Sequence, residues 1–228
     1  MLQEVVATGD LRVEGRFVDA SNATLYAVAF SSELEIPVIY KPIAGERPLW
    51  DFPDGNLANR ELAAFQLSVL LGLDLVPYTV LRDGPFGPGM VQQWIEIDEV
   101  IDLVALAESD HEDIRKMALF DAIINNTDRK YGHILPTPTG KIFGCDHGVT
   151  FHAEPKLRTV LWQFASQSFT IQELDLLSVA KAKASDAVKD LITPNEIIAL
   201  LQRIDRLLEL GVFPEPSQEW PSIPWPPF

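Results

Sequence analysis

The chain has 228 residues, 47% of them apolar and 22% charged, which is ordinary globular usage and excludes a disordered or fibrous protein. Its 18 Lys+Arg against 33 Asp+Glu give a net charge of −15, which disfavours nucleic acid and anionic lipid, since both are bound through Lys and Arg. No run reaches the roughly 18 consecutive apolar residues of a membrane helix, and MLQEVVATGD lacks the basic and apolar regions of a secretory signal. A single cysteine, Cys145, allows neither an internal disulfide nor a zinc site built on paired cysteines. A reduced, cytoplasmic protein without membrane attachment is expected.

Residues 1–95 read as a β-rich lobe with one helix. LRVEGRFVDASNATLYAVAF alternates on both sides of a polar turn, DASNAT, and predicts a hairpin. IPVIYKP is a short β-branched strand that ends at Lys41 with Pro42 behind it. After the loop AGERPLWDFPDG, the run NLANRELAAFQLSVLLG crowds apolar residues onto a helix stopped by Gly72. LVPYTVLRDG and PGMVQQWIEI add two strands around a Gly/Pro turn.

Residues 96–212 turn mainly helical. HEDIRKMALFDAIINN has an acidic first turn and apolar positions at Ile114, Met117, Phe120 and Ile124. HILPTP and KIFGCD predict a small hairpin around Thr139-Gly140. TPNEIIALLQRIDRLLELG is the clearest helix, with Thr193 as N-cap, Pro194 at its first position, Glu196 closing a capping box and Gly211 as the stop. Residues 213–228 hold six prolines and two tryptophans, and are expected to lie extended across the surface with their rings docked. The fold class is α+β.

Charge and chemistry converge on the middle of the chain. Residues 1–110 carry a net −12 and residues 169–228 a net −4, whereas residues 111–168 carry +1. Within this stretch lies NNTDRKYGHILPTPTGKIFGCDHG. Asp128 follows an apolar helix, Asp146 ends a hairpin strand, and His133 stands between them. Two carboxylates on loops at the ends of a hairpin can meet at one point, which is what phosphoryl transfer asks for: one orients the attacking group and the other holds a divalent ion against the phosphates. Upstream, Lys41 on a strand end and Glu61 on the next helix could pair, so that the ammonium meets phosphate oxygens. Taken singly, each has a plainer role as a turn residue, a solvated strand end or a surface helix residue; their joint order is what carries the expectation.

That order resembles the protein-kinase-like superfold, a two-lobed fold with a small β-rich N-lobe and a mainly helical C-lobe bearing a catalytic β-hairpin. DAIINNTDRKYGH…GCDHGVTF is similar to loops of type II phosphatidylinositol 4-kinases and of secretory-pathway casein-type kinases, and more distantly of HipA-type kinases. YKPIAGERPLWDFPDGNLANRELAAF, DGPFGPGMVQQW and KLRTVLWQFA resemble an actinobacterial family described as phosphatidylinositol 3-/4-kinase-like, over roughly residues 8–212.

The resemblance implies ATP and Mg²⁺ or Mn²⁺ as cofactors. Lys41 would pair with phosphate and Glu61 would hold it, while Gln92, Gln93 and Trp94 would receive the adenine. Asp128 would be the catalytic aspartate with Arg129 beside it, and Arg129 or Lys130 would stabilise charge on the transferred group. Asp146 and His133 would ligate the metal; His133 stands where these families have Asn. DASNAT has no glycine-rich motif, so the backbone N–H groups of Ser21, Asn22 and Ala23, or the loop Glu46–Gly55, would cover the phosphates in its place. The expected activity is phosphoryl transfer to a protein or a small polar hydroxyl acceptor. The rivals are a degenerate nucleotide-binding module and AMP transfer from the same cleft. The acidic surface makes a lipid the least favoured acceptor.

Overall fold

The structure is a computed structural model and describes residues 1–17 and 22–228. Strands β1 (Asp10–Arg16), β2 (Leu25–Phe30), β3 (Glu35–Pro42), β4 (Thr79–Gly84) and β5 (Gly87–Gln93) form an antiparallel sheet in the order β1-β2-β3-β5-β4. The expected hairpin is there, with Leu11 opposite Ala29 and Val13 opposite Ala27.

Strand alternation decides what faces the chemistry. On β3, Ile36, Val38 and Tyr40 are buried on one face with Leu25, Ala27, Ala29 and Val91. Lys41 is out of phase with them and therefore points to the other face, in register with Met90 of β5. The outer face is covered by a helix that periodicity alone did not predict, α1 (Leu2–Thr8), through Val5 and Val6.

On the inner side lies α2 (Leu57–Leu70), capped by Asn56, whose side chain accepts from Asn59 N–H. Glu46 adds a second cap, its carboxylate accepting from the N–H groups of Leu57 (2.9 Å) and Ala58 (2.9 Å). Glu46, on the loop expected to cover phosphates, is thereby committed to the helix end. Asn22 accepts from Arg47 N–H at 2.8 Å, which ties the turn between β1 and β2 to that same loop. Ser21 lies outside the described residues.

A close approach fixes the position of β5 against β3. A Cβ added at Gly89 would stand 2.5 Å from Lys41 O and 2.7 Å from Pro42 Cα, both backbone atoms. Gly89→Ala is therefore expected to cost about 1–3 kcal/mol through overpacking. Thermal unfolding would show the loss, and an unchanged melting temperature would remove this account of the glycine.

Beyond Trp94 the chain turns mainly helical. This part contains α3 (Leu103–Ala107), α4 (Glu112–Ile124), the hairpin β6 (Ile134–Pro136) with β7 (Ile142–Gly144), α5 (Ile171–Val188) and α6 (Pro194–Leu210). The cap, proline, capping box and left-handed Gly211 (φ 68°) of α6 are as expected. Glu196 has a further task, since it also pairs with the buried Arg60 of α2 at 2.5 Å and so joins the two lobes. The α5 helix was not foreseen. One continuous core runs from Ala63, Ala64 and Leu67 of α2 through α4 to Leu177, Ala180 and Ala184 of α5 and Leu200 and Ile204 of α6.

Residues 213–228 form neither helix nor strand and bend at residues 218–220, 223, 225 and 226, and only one of their two tryptophan rings docks. Trp220 lies against Lys156 and Arg158, whereas Trp225 remains 85% exposed. Among the described residues no helix is long and apolar enough to cross a membrane.

Candidate active site

Lys41 leaves β3 on the inner face of the sheet and meets two carboxylates at once: its Nζ is 2.7 Å from Glu61 Oε1 and 2.7 Å from Asp146 Oδ1. Burial favours the neutral amine, but the two carboxylates outweigh it and hold the ammonium above its ordinary value. Glu61 is 1% exposed, and its second oxygen accepts from His147 N–H at 2.9 Å. One buried carboxylate thus links the strand lysine of the first lobe to the D-H-G turn of the second.

Asp146 sits in the left-handed region (φ 59°), which a short polar side chain tolerates better than a branched or bulky one. Lys41 holds its carboxyl well below the usual carboxylate range. Gly148 closes the turn where a Cβ would lie 3.2 Å from Leu57 Cβ, so the first turn of α2 packs directly on the D-H-G backbone. The other oxygen of Asp146 faces His133 Nε2 at 3.4 Å. Burial pushes His133 down, against the pull of Asp146, and its Nδ1 has no protein partner.

Asp128 stands on the loop after α4, which ends in a left-handed Asn125 (φ 53°). Its N–H donates to Asn126 Oδ1 at 3.0 Å, and its carboxylate lies 3.2 Å from Lys130 Nζ. Burial raises the Asp128 carboxyl, opposed by Lys130 and His133.

Arg129 departs from the expectation. It was placed beside the transferred group, yet its guanidinium is completely buried and turned away from the cleft. Nε and Nη2 donate to the two oxygens of Asp121, each at 2.9 Å, and Nη1 donates to Cys145 O at 3.0 Å and His133 O at 3.3 Å. Nη2 also reaches His147 Nε2 at 2.8 Å. With every N–H engaged, Arg129 is a positioning residue that ties the Asp128 loop to the Asp146 loop; of the two cations proposed for the phosphoryl group, only Lys130 remains near the surface. The reason is electrostatic: Asp121 lies inside the apolar run of α4, and a buried carboxylate needs a buried cation. A charge in the middle of MALFDAII was the sequence signal for it.

The residues expected to receive adenine divide. Gln92 lies on the inner face, but its amide donates to Thr79 Oγ1 at 2.9 Å and it is 5% exposed. The N–H groups of Gln93 and Trp94 are spent on Tyr78 O and Pro37 O. The Trp94 ring, 39% exposed, stacks with Phe17 at 6.1 Å and meets Tyr26 edge-on at 5.5 Å. Sequence reasoning missed Asp121 and Asn126, which position Arg129 and Asp128. Lys156, one of the basic residues of the near-neutral middle stretch, lies 5.2 Å from the rings of both Trp50 and Trp220.

A β-rich lobe whose strand lysine pairs with a helix glutamate, set on a helical lobe whose two aspartate loops flank a hairpin, defines a protein-kinase-like fold. Two solved kinases share it. The Helicobacter pylori proinflammatory kinase CtkA aligns over 91% of this chain and 94% of its own, with TM-score 0.54 and 13% identity. The Golgi casein kinase aligns over 92% of this chain and 72% of its own, with TM-score 0.58 and 12% identity. At such identities the likeness is one of fold.

In sequence, Protein Rv2133c of Mycobacterium tuberculosis (strain ATCC 25618 / H37Rv) is 40% identical over 263 aligned residues, spanning 98% of this chain and 94% of the relative. The chain belongs to the family of Rv2133c. No protein-family model matches it, and the name of this relative carries no phosphatidylinositol-kinase description.

Proposed function

We propose that the chain is an ATP-dependent phosphotransferase, and the observation that carries this is Lys41, held at 2.7 Å by both Glu61 and Asp146. A lysine clamped between a helix glutamate and the D-x-G aspartate stands where nucleotide phosphates meet a divalent ion in kinases. Trp94, with Phe17 and Tyr26, offers the aromatic surface for adenine at the end of β5. Asp128 orients the acceptor hydroxyl and takes its proton, and Lys130 offsets charge on the transferred group.

The residues fit a divalent ion that arrives with its own oxygen ligands. Asp146 Oδ2 and the neutral Nε2 of His133 are two donors 3.4 Å apart. Among the described residues no three His, Cys, Asp or Glu side chains group to hold a metal. Two protein donors suit Mg²⁺ or Mn²⁺, which keep water and phosphate oxygens as further ligands, and the imidazole favours Mn²⁺. When bound, the ion would neutralise charge between the β- and γ-phosphates.

The test is a thermal-shift titration with ATP, with and without Mg²⁺ or Mn²⁺. At about 100-fold its dissociation constant, ATP should add roughly 2.7 kcal/mol, or about 5–10 °C for a chain of this size. Asp146→Asn is expected to abolish the metal-dependent part. No shift with either metal would sink the proposal.

A further inference from the structure

The surface beside Asp128 is already lined by another part of the chain. The residue after it, Arg129, pairs with the segment from Arg158 to Val160: Arg129 N–H donates to Arg158 O at 3.1 Å, and Val160 N–H donates to Arg129 O at 3.2 Å. The N–H groups of Thr159 and Tyr131 are left over by that pairing. They are what an extended polypeptide passing Asp128 would bond to, as a strand adds to an open edge.

Both are occupied by the Pro/Trp-rich segment. Thr159 N–H donates to Ser222 O at 3.0 Å, and Tyr131 N–H donates to Pro227 O at 2.9 Å. Trp162 Nε1 gives Ser222 O a second donor at 2.9 Å. The segment is anchored at each end by rings: Trp220 lies beneath Lys156 Nζ at 5.2 Å and Arg158 Cζ at 5.8 Å, and Phe228 packs on Tyr131 at 5.1 Å. Prolines 221, 224, 226 and 227 restrict the free segment to few conformations, so little entropy is lost when it docks.

We propose that residues 220–228 fill, in cis, the groove by which an extended polypeptide would reach Asp128, so that the intact chain phosphorylates a small hydroxylated molecule and not a protein. This rests on the phosphotransferase reading. The Asp128 side chain keeps 32% of its surface exposed, an opening for a small acceptor beside the docked segment. A polypeptide, by contrast, must displace several hydrogen bonds and two aromatic anchors.

The experiment compares the intact chain with Trp220→Ala and with a variant ending at Pro216, which keeps the buried Phe213. Metal-dependent ATP binding is measured on all three by thermal shift. Label from radioactive ATP is then followed into dephosphorylated casein and into the small-molecule fraction of a cell extract. Amide hydrogen exchange at Thr159 and Tyr131 reports whether the groove is covered. The intact chain is expected to label the small-molecule fraction and leave casein at background. Release of the segment is expected to speed exchange at the two amides by at least tenfold and to raise casein labelling at least tenfold. Casein labelled equally by the intact chain overturns the proposal. So does casein left at background by variants that bind ATP and have lost amide protection, or an unlabelled small-molecule fraction from an intact chain that binds ATP. Failure of the intact chain to bind ATP with metal is a different result, because it removes the phosphotransferase reading itself.

Discussion

Replacing Asp128 by asparagine is expected to lower phosphoryl transfer by about 10²–10⁴-fold, the range supplied by a positioned general base. Metal-dependent stabilisation by ATP should stay as in the unmodified chain, because Lys41, Glu61 and Asp146 bind one another while the Asp128 carboxylate is paired with Lys130. The substitution is nearly isosteric, and the backbone there is held independently by Asn126 Oδ1 on the Asp128 N–H. Partial burial raises the Asp128 carboxyl, which makes the carboxylate a better proton acceptor, while Lys130 limits the rise. The measurement is a single-turnover rate beside a thermal shift. Unchanged transfer would take Asp128 out of the reaction. Joint loss of transfer and ATP binding would mean that it serves the nucleotide site instead.

The largest expected effect on stability belongs to Arg129. Removing it leaves the Asp121 carboxylate buried at 0% exposure without its cation, and strips donors from Cys145 O and His133 O. Breaking a buried pair from one side costs about 3–5 kcal/mol, so Arg129→Leu should lower the melting temperature by roughly 6–20 °C. The double replacement Asp121→Leu with Arg129→Leu should be less harmful than the single one, since no charge is then stranded. Chemical unfolding of the four forms of this cycle reads the coupling directly. A single variant within about 1 kcal/mol of the unmodified chain would contradict the buried network.

These two neighbours show how unevenly a sequence reveals its site. Asp128 and Arg129 are adjacent in the chain and were given adjacent roles, yet one reaches the surface and the other is buried with all its donors engaged. Nothing local separates them; the difference is made by Asp121, seven residues before Asp128 on the buried face of α4. Lys41 and Glu61 were legible because a strand followed by a helix brings their side chains together within one supersecondary unit. That Asp146 would complete the clamp could be expected from its order in the chain, whereas the bond of Glu61 to His147 N–H spans 86 residues and follows only from how the lobes close.

The same division holds for the secondary structure. The α6 helix announced itself through its cap, proline, capping box and terminal glycine, all local signals within about twenty residues. The α5 helix carries a capping box too, at Thr170 and Glu173, but buries mainly small residues, Ala180 and Ala184 with Leu177 and Val188. Alanines give little hydrophobic contrast, so its periodicity was faint. At seven residues α1 is too short to persist alone, and it exists because Val5 and Val6 find the outer face of the sheet.

By itself, the sequence determined the α+β division, the strands and best-capped helices, and the order of lysine, glutamate and two aspartates, because each depends on periodicity, capping or turn chemistry acting over a few residues. Only the tertiary structure decided that Lys41 meets both carboxylates at once, that Arg129 turns inward, and that the proline-rich segment lies over the backbone beside Asp128. Those are pairings between residues far apart in the chain. They depend on which charges the closing lobes strand in the core and on which backbone groups they leave without partners, and no window of neighbouring residues contains that information.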